Sequence, residues 1–397
     1  MRIGFDATVL APATRYTGTG QYAEKLITVL PLLAPEDDFV LYGSPPDTDF
    51  HELPDNVTWH AIGRLPFRRL SALAGHLVTL PRLARKDRLD MLHVPTVHTR
   101  ASLPPVPRGL PCPLVVTLHD LIPMTYYGRS DKPLPWRLRT FYRWNLNSAL
   151  KAQRIITVSE SSRADILNTL GLAPERVVSV YNGVDFASSV VPPVPAAWKP
   201  PHGEAPYILF GGSFEPRKNL LRLIEAFDRA VQEGLEHHLL MIVDSASGRA
   251  GTVIERAQSL ACAERLHFLS GLDEQTIHAV YRGADVFIFP TLSEGFGLPP
   301  LQAMSCGVPV IASDIPVMRE VLGDAAHYID PYSIDDITRS LMTVSSDASI
   351  RNELSAAGPR RAASFTWEAT AKQTLEVYRS VVEKANTSGA SEGSQPR

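Results

Sequence analysis

The sequence predicts an α/β protein of two domains, each built around a parallel sheet, and three features lead to this prediction. Short apolar runs of strand length alternate with segments of helical periodicity, the pattern expected of wound α/β sheets. A proline-rich stretch at 190–206 divides these runs into two sets and is incompatible with regular structure. The chain has 397 residues, of which 44% are hydrophobic, enough for two cores of ordinary size.

Apolar runs on both sides of the proline-rich stretch are predicted to be strands. The first set lies at 2–9, 39–42, 91–94, 114–118, 154–158 and 177–181. The second set lies at 207–211, 238–243, 266–268, 286–289 and 308–312. We therefore expect a first domain over 1–189, a linker over 190–206 and a second domain over 207–365. The last residues, 389–397, have the composition of a disordered tail.

Charge, cysteine content and hydropathy narrow the class of protein. Residues 1–180 contain 21 Lys and Arg against 16 Asp and Glu, and the remainder contains 18 against 26, so the first half is the better suited to an anionic partner. Three cysteines without metal-binding spacing indicate a reducing cytosol. No apolar run approaches the roughly 20 residues that span a bilayer. We expect a cytoplasmic protein that contacts a membrane at most peripherally, on its inner face.

Residues 290–314 combine a carboxylate with a glycine-rich turn just before a short predicted helix. The N-terminus of a helix offers N–H donors and partial positive charge, which suit a phosphate. Glu294, in contrast, accepts hydrogen bonds from sugar hydroxyls and repels phosphate. The segment therefore suits a phosphorylated sugar, with Glu294 at the sugar and the turn at the diphosphate. The residues of this turn that we expect to bind the phosphorylated sugar are Gly295, Phe296, Gly297 and Leu298.

A second motif, at 211–219, places two cations just ahead of a predicted helix and after a strand. Gly212 belongs to the glycine-rich turn, and Asn219 is a predicted helix N-cap. Arg217 and Lys218 are either solvated loop charges or ligands of a diphosphate, Arg217 gripping it with two bonds and Lys218 acting as a point charge. The glycine-rich turn and the strand-to-helix context favour the diphosphate site.

A third motif is formed by Gly18, Thr19 and Gly20, which lead into a predicted helix at 22–33. The pattern G-x-G-x-x-A is usually associated with dinucleotides. Here the glycines do not follow the strand directly, and the next strand does not end in an acid that could hold an adenosine ribose. These observations argue against a nicotinamide-dependent oxidoreductase, and a flexible turn remains an alternative.

Together these motifs resemble the retaining, nucleotide-sugar-dependent glycosyltransferases of family four, which have the GT-B fold. The family signature is Glu, seven residues, Glu. Glu294 matches the first acid, and the run Glu-Pro-Arg-Lys-Asn at 215–219 also matches. The second acid is replaced by Gln302, which can still hydrogen-bond to hydroxyls. The resemblance implies two facing Rossmann-like domains with parallel sheets, and a C-terminal helix at 366–385 that crosses back to the first domain.

The resemblance also implies roles for individual residues. Glu294 would hold the C3 and C4 hydroxyls of the sugar, and Gln302 the ribose. Arg217 and Lys218 would stabilise the departing diphosphate without a metal. Segment 18–20 would close over the donor phosphates, and His119, after the predicted strand 114–118, would lie beside the transferred sugar.

The same resemblance implies the partners of the protein. The donor would be a nucleotide-sugar of the GDP-mannose or UDP-glucose type, with no further cofactor. The acceptor would be a glycan or a lipid-linked sugar in the assembly of bacterial cell-surface polysaccharide. The neutral Gln302 leaves open a non-catalytic GT-B subunit that binds a partner or a glycan.

Two further patterns have competing interpretations. Asp47 and Asp49 form a DxD, the metal-binding pattern of the other large glycosyltransferase fold, but their proline-flanked polar loop is typical of a turn, and no metal is expected. Segment 63–90 interleaves basic and apolar residues, as in helices that bind an anionic membrane surface and as in helices that pack on a sheet with solvated arginines outside. Nucleic acid is not expected, because the chain is mildly acidic. The basic residues of the segment are Arg64, Arg68, Arg69, Arg82, Arg85, Lys86 and Arg88.

Overall fold

The computed structural model describes residues 1–11, 17–43, 53–62, 75–97, 106–127, 135–185, 200–201, 203–243 and 250–392. The chain divides into two compact units. The first contains Met1–Gly183 and Trp367–Arg397, and the second contains Val184–Thr366. The second unit thus begins before the predicted linker at 190–206, most of which lies outside the described residues.

A seven-stranded parallel sheet forms the centre of the first unit, with the spatial order β3-β2-β1-β4-β5-β6-β7. Its strands are β1 Arg2–Asp6, β2 Asp38–Tyr42, β3 Val57–His60, β4 Met91–Val94, β5 Leu114–Thr117, β6 Arg154–Thr157 and β7 Val177–Ser179. The helices between them are α1 Gly18–Leu33, α2 Leu80–Lys86, α3 Ile122–Thr125, α4 Trp136–Ala149 and α5 Glu160–Leu170. Helix α1 contributes to one core cluster of this unit, and α2, α4 and α5 contribute to the other.

A six-stranded parallel sheet forms the centre of the second unit, with the order β10-β9-β8-β11-β12-β13. Its strands are β8 Tyr207–Gly212, β9 His238–Val243, β10 Leu266–Leu269, β11 Val286–Phe289, β12 Val310–Ser313 and β13 His327–Ile329. The helices are α6 Leu220–Gln232, α7 Ala250–Gln258, α8 Glu274–Arg282, α9 Leu298–Ser305, α10 Pro316–Leu322, α11 Ile334–Ser346 and α12 Ala348–Ala362. The α6 positions with helical spacing after Asn219 are buried, as their periodicity predicts.

The chain returns to the first unit in a last helix, α13 Trp367–Glu392. Trp367, Leu375 and Tyr378 lie on one face of α13 and join the core cluster that contains α1. Thr370 Oγ1 donates a hydrogen bond to the Tyr181 carbonyl at 2.7 Å. The helix continues through 389–392, Gly-Ala-Ser-Glu, which is part of the range predicted to be disordered. Extending an existing helix is easier than starting one, even though glycine is a poor helix former.

The strand order reverses at one point in each sheet, between β1 and β4 in the first unit and between β8 and β11 in the second. Open α/β sheets bind ligands in the crevice that such a reversal leaves at the carboxyl ends of the strands. Strand β8 ends at Gly212 and β11 ends at Phe289. The motifs predicted at 211–219 and 290–297 therefore both begin at this crevice of the second unit.

Every predicted strand is present, with ends shifted by a few residues. The largest shift is in β1, predicted at 2–9. It ends at Asp6, whose side chain accepts a hydrogen bond from the Thr8 N–H at 3.1 Å and starts a short 3₁₀ turn. Two strands, β3 and β13, are absent from the sequence prediction. They are four and three residues long, lie at sheet edges and are partly exposed, so they lack a clear apolar run.

Candidate active site

Two chain segments meet at the carboxyl edge of the second sheet, where β8 and β11 lie side by side. Residues 213–219 follow β8 and lead into α6, and residues 290–297 follow β11 and lead into α9. The Leu292 N–H donates to the Arg217 carbonyl at 2.7 Å, and the Thr291 hydroxyl oxygen lies 3.1 Å from the same carbonyl. The structure thus brings together two motifs that are far apart in the sequence.

Glu294 is the centre of a compact ion cluster. Its Oε1 atom accepts a hydrogen bond from Lys218 Nζ at 2.6 Å and lies 2.7 Å from Arg217 Nη1. The Thr291 hydroxyl donates to the same oxygen at 2.8 Å. The side chains of Glu294 and Lys218 are only 10% and 8% exposed. No described residue donates to Oε2, so this oxygen keeps its capacity to accept hydrogen bonds.

The surroundings hold Glu294 in its charged form. Burial alone raises the pKa of this carboxyl, but Arg217, Lys218 and the hydrogen bonds outweigh burial and lower it to about 2. Burial lowers the pKa of the Lys218 ammonium, and Glu294 opposes that shift. The Lys218 ammonium also lies 4.7 Å from the centre of the Phe289 ring, a cation–π contact at the end of β11.

The cluster contains a fourth charge that the sequence analysis missed. Glu215 Oε2 accepts a hydrogen bond from Arg217 Nε at 2.8 Å. With Glu215 and Glu294 beside Arg217 and Lys218, the four formal charges cancel. The cluster is therefore already balanced, and an anion that approaches Arg217 and Lys218 must compete with two carboxylates.

Asn219 occupies the predicted N-cap position of α6, but the prediction of its role is wrong. Its backbone is left-handed, with φ at 63°, and its side chain makes no capping bond. The carboxamide instead donates to the Pro290 and Pro331 carbonyls at 3.0 and 2.7 Å. The positive φ turns the side chain away from the helix and towards the loops that follow β11 and β13, and so fixes the turn that carries Lys218.

The glycine-rich turn after Glu294 is shaped by close packing. Gly297 has φ at 103°, and a Cβ atom there would lie 2.5 Å from the Met318 side chain. Gly297 is followed by α9, whose second and third residues are Pro299 and Pro300, as the sequence predicts. Prolines lack an N–H, so this helix end has fewer donors for an anion than an ordinary helix N-terminus.

The remaining predicted donor-binding residues of the second unit also lie at this edge. Gly212 ends β8, and a Cβ atom there would lie 2.8 Å from the Phe210 ring, so packing alone requires glycine. Phe296 is buried and contacts Phe365 edge-on, with ring centres 5.7 Å apart. Gln302 is half-buried and is the fifth residue of α9, eight positions after Glu294. Gly295 lies in the turn that precedes α9, and Leu298 is the first residue of α9.

Gly18, Thr19 and Gly20 lie in the first unit and form the first turn of α1 rather than a loop before it. Thr17 is the N-cap, and its hydroxyl accepts from the Gly20 N–H at 3.3 Å. The sequence analysis began the helix at Tyr22, because glycines lower helix propensity. The Thr17 cap outweighs that preference.

His119 follows β5 at the carboxyl edge of the first sheet. Its Nε2–H donates to the Pro95 carbonyl at 3.0 Å, and its ring meets the Tyr22 ring edge-on at 4.8 Å. Burial lowers the pKa of His119 to about 4, so the ring is neutral at pH 7. Its own carbonyl accepts a hydrogen bond from Thr157 at 3.2 Å.

Behind His119 lies a buried chain of hydrogen bonds that the sequence analysis missed. Tyr378 OH and His93 Nδ1 are 2.6 Å apart, His93 Nε2 and Thr117 Oγ1 are 2.8 Å apart, and Thr117 Oγ1 and Tyr22 OH are 3.0 Å apart. Burial lowers the pKa of His93 to about 3, so this ring is neutral. The chain connects α13 to α1 through β4 and β5.

The structure therefore assembles Glu294, Arg217 and Lys218 within one unit and places His119 and segment 18–20 in the other. Asp47 and Asp49 lie outside the described residues. Among the residues that are described, no group of three His, Cys, Asp or Glu side chains could hold a metal ion.

Two solved structures share the whole fold. Sucrose-phosphate synthase from Thermosynechococcus elongatus matches with a TM-score of 0.74 over 97% of this chain and 100% of that chain, at 18% identity. Anabaena HepE, solved with UDP and glucose, matches with a TM-score of 0.70 over 96% and 100%, at 16% identity. With two doubly wound parallel sheets, these likenesses define a GT-B fold.

Sequence comparison identifies the family. The family model for glycosyl transferases group 1 matches residues 197–361, and that for glycosyltransferase family 4 matches residues 18–188. The O-antigen chain mannosyltransferase B of Escherichia coli is 30% identical over 277 residues, which cover 67% of this chain and 70% of that relative. The chain belongs to the family 4, or group 1, glycosyltransferases.

Proposed function

We propose that this glycosyltransferase moves a hexose from a nucleotide diphosphate-sugar to a hydroxyl group of a glycan or lipid-linked acceptor, with retention of the α configuration. The acceptor oxygen forms the new bond to C1 on the face from which the diphosphate oxygen leaves. The departing diphosphate takes the acceptor proton. No group of the protein forms a covalent intermediate in this route.

The ion cluster of the second unit is the observation that carries the proposal. Glu294 is fixed through Oε1 by hydrogen bonds from Lys218 and Thr291 and by its ion pair with Arg217, and it keeps Oε2 for sugar hydroxyls. Arg217 and Lys218 lie beside it and would stabilise the negative charge that develops on the leaving diphosphate. The charges of the cluster cancel before the nucleotide-sugar binds. The diphosphate then supplies new negative charge, so that Arg217 and Lys218 can move partly from Glu294 towards it.

Other residues complete this site in the proposal. The turn formed by Gly295, Phe296, Gly297 and Leu298 approaches the diphosphate, with Gly212 at the end of β8, and Gln302 holds the ribose. In the first unit, segment 18–20 covers the phosphates, and neutral His119 lies beside the sugar. No metal and no further cofactor take part.

A mannose donor of the GDP-mannose type is preferred over UDP-glucose because the matched Escherichia coli relative is described as an O-antigen chain mannosyltransferase. The same relative supports a place in the assembly of bacterial cell-surface polysaccharide. In this proposal the reaction takes place at the inner face of the membrane. Gln302 supports a second candidate, a non-catalytic subunit that binds a glycan, because the residue cannot hold ribose with a charge.

A thermal-shift screen of nucleotide-sugars tests both candidates. A donor at 100 times its dissociation constant should stabilise the protein by about 2.7 kcal/mol. The preferred nucleotide-sugar is then incubated with acceptor glycans, and the anomeric configuration of the product is read by NMR. A product of inverted configuration contradicts the mechanism. Binding of glycans without binding of any nucleotide-sugar favours the non-catalytic candidate.

A further inference from the structure

The outer face of α4 combines exposed aromatic and basic side chains. Trp136, at the start of α4, is 71% exposed, the highest value among the large hydrophobic side chains of the described residues. Arg137, Arg139 and Arg143 are exposed along the same helix. No acidic residue occurs between Pro135 and Arg154. The helix thus presents positive charge together with an aromatic ring that water solvates poorly.

The inner face of α4 is firmly held, so this outer face has a fixed shape. Tyr142, Leu146 and Ala149 are buried in the core cluster shared with α2 and α5. Asn145 also points inward, where its Oδ1 accepts a hydrogen bond from the Val106 N–H at 3.0 Å. The apolar face of this amphipathic helix therefore packs in the core, and its basic face is exposed and accessible to a partner.

Arginine and tryptophan are paired twice on this surface. The Arg137 guanidinium lies 5.3 Å from the centre of the Trp136 ring. Arg108 lies 4.9 Å from the centre of the Trp144 ring and donates from Nε to the Ser148 hydroxyl at 2.7 Å. Such cation–π pairs lower the cost of taking an arginine partly out of water. Tryptophan and arginine are also the side chains that favour the headgroup layer of a bilayer.

The topology places this surface at a particular edge of the first unit. Helix α4 connects β5 to β6, two neighbouring parallel strands, so it runs opposite to them. Its first residue, Trp136, therefore lies towards the carboxyl edge of the sheet. His119 follows β5 at the same edge. A surface bound through Trp136 and the arginines therefore lies towards the edge of the first unit that carries His119.

We propose that the outer face of α4, formed by Trp136, Arg137, Arg139 and Arg143 with Arg108 beside it, docks the first unit onto an anionic lipid bilayer. The arginines contact lipid phosphates, and Trp136 enters the headgroup layer. No helix within the described ranges has the length and apolar character of a membrane span, so attachment through α4 is by adsorption. The proposal extends the proposed function by naming how a lipid-linked acceptor is approached.

Sedimentation with vesicles tests the docking directly and needs no donor. The full chain should bind vesicles of equal parts phosphatidylcholine and phosphatidylglycerol, bind phosphatidylcholine vesicles weakly, and be released as salt rises. Each arginine near the surface contributes about fivefold to the partition coefficient, so the triple variant Arg137→Gln, Arg139→Gln, Arg143→Gln should bind about a hundredfold more weakly.

A matched control distinguishes binding through the α4 surface from an effect of the net charge of the protein. The triple variant Arg229→Gln, Arg256→Gln, Arg339→Gln removes the same charge from arginines of the second unit that are paired with carboxylates. It should bind anionic vesicles within about twofold of the wild type, because its arginines belong to the second unit and are not part of the proposed surface. An equal loss in both triple variants overturns the assignment to α4.

A third set of variants tests the other basic helix of the first unit. Arg82, Arg85 and Lys86 are exposed on α2, while the arginines at 64, 68 and 69 lie outside the described residues. If replacing Arg82, Arg85 and Lys86 by Gln abolishes binding and the α4 variant binds normally, the docking surface is α2 and the proposal is wrong.

Trp136 provides a readout that does not depend on a multiple variant folding. Its fluorescence should shift to shorter wavelength when anionic vesicles are added, and Trp136→Phe should lack this shift. Absence of the shift in the wild type overturns the proposal. Vesicle binding through α4 without nucleotide-sugar binding would contradict the proposed function and support the docking surface. Nucleotide-sugar binding without vesicle binding would contradict the docking surface and support the proposed function.

Discussion

Replacing Glu294 by Gln removes a carboxylate that lies within 2.7 Å of two cations and preserves the size of the side chain. The Lys218 ammonium, 8% exposed, is then left without its counter-charge. Removing one member of a buried ion pair costs about 3–5 kcal/mol, because the remaining charge stays in a poorly solvated place. We expect the free energy of unfolding of the second unit to fall by this amount at pH 7.

The effect should depend on pH in a defined direction. The folded-state pKa of Glu294 is about 2, below its ordinary value of 4.5, so its carboxylate stabilises the folded protein above pH 4.5. This stabilisation is lost as the pH falls from 4.5 towards 2, because the unfolded chain then binds a proton that the folded chain does not. From these two pKa values, proton linkage gives a decrease of about 2 kcal/mol in the free energy of unfolding between pH 7 and pH 3. The variant Glu294→Gln should lack this part of the pH dependence.

Amide hydrogen exchange of β8 and β11 measures this free energy for the second unit alone. Glu215→Gln is the matched control, since Glu215 also pairs with Arg217 but is 43% exposed, and it should cost less than about 1 kcal/mol. The double variant Glu294→Gln, Lys218→Met should recover much of the loss, because it leaves no buried charge without a partner. If wild type and Glu294→Gln lose the same free energy between pH 7 and pH 3, the reasoning is refuted.

Three further predictions concern activity and the first unit. Arg217→Ala should lower kcat by at least about a hundredfold, and transfer by the wild type should survive EDTA; activity that EDTA abolishes and Mn²⁺ restores would contradict both. Gln302→Glu should change the donor dissociation constant, measured by calorimetry, by about tenfold or less, because one ribose contact is worth about 1 kcal/mol. Tyr378→Phe should cost the first unit about 1–3 kcal/mol in urea unfolding, since His93 Nδ1 loses its partner, whereas Tyr332→Phe, at an exposed site, should cost little.

Local signals explain what could be predicted. Buried parallel strands are continuous apolar runs, and glycine or proline marks where they end, so the strands and the two loops at the β8 and β11 edge are visible in the sequence. Strand β3 was not predicted, because an edge strand of four partly exposed residues has no continuous apolar run. Asn219 was misassigned because an N-cap and a left-handed turn favour the same residue type, and only the folded chain shows which carbonyls its side chain meets.

Contacts between distant segments could not be predicted. His93 and Tyr378 are separated by 285 positions, and neither residue belongs to a motif. Thr291 was missed for a related reason, because its hydroxyl lies against the Arg217 carbonyl of the other segment. Glu215 was missed although its partner Arg217 is only two positions away, because the sequence does not show which way the two side chains turn. A polar side chain directly after a buried strand, as Thr291 is, was the available signal for one of them.

The return of α13 to the first unit has a consequence for the order in which the protein can fold during synthesis. Residues 1–183 leave the ribosome first, but Trp367, Leu375 and Tyr378, which cover part of their core, are made only after the whole second unit. A nascent chain that ends at Thr366 therefore carries a first unit with an uncovered apolar face and a His93 Nδ1 that lacks its Tyr378 partner, while the sequence of the second unit is already complete. Chaperones that bind exposed apolar surface should recognise this chain until its last helix emerges, and loss of that helix by proteolysis would return the first unit to the same condition.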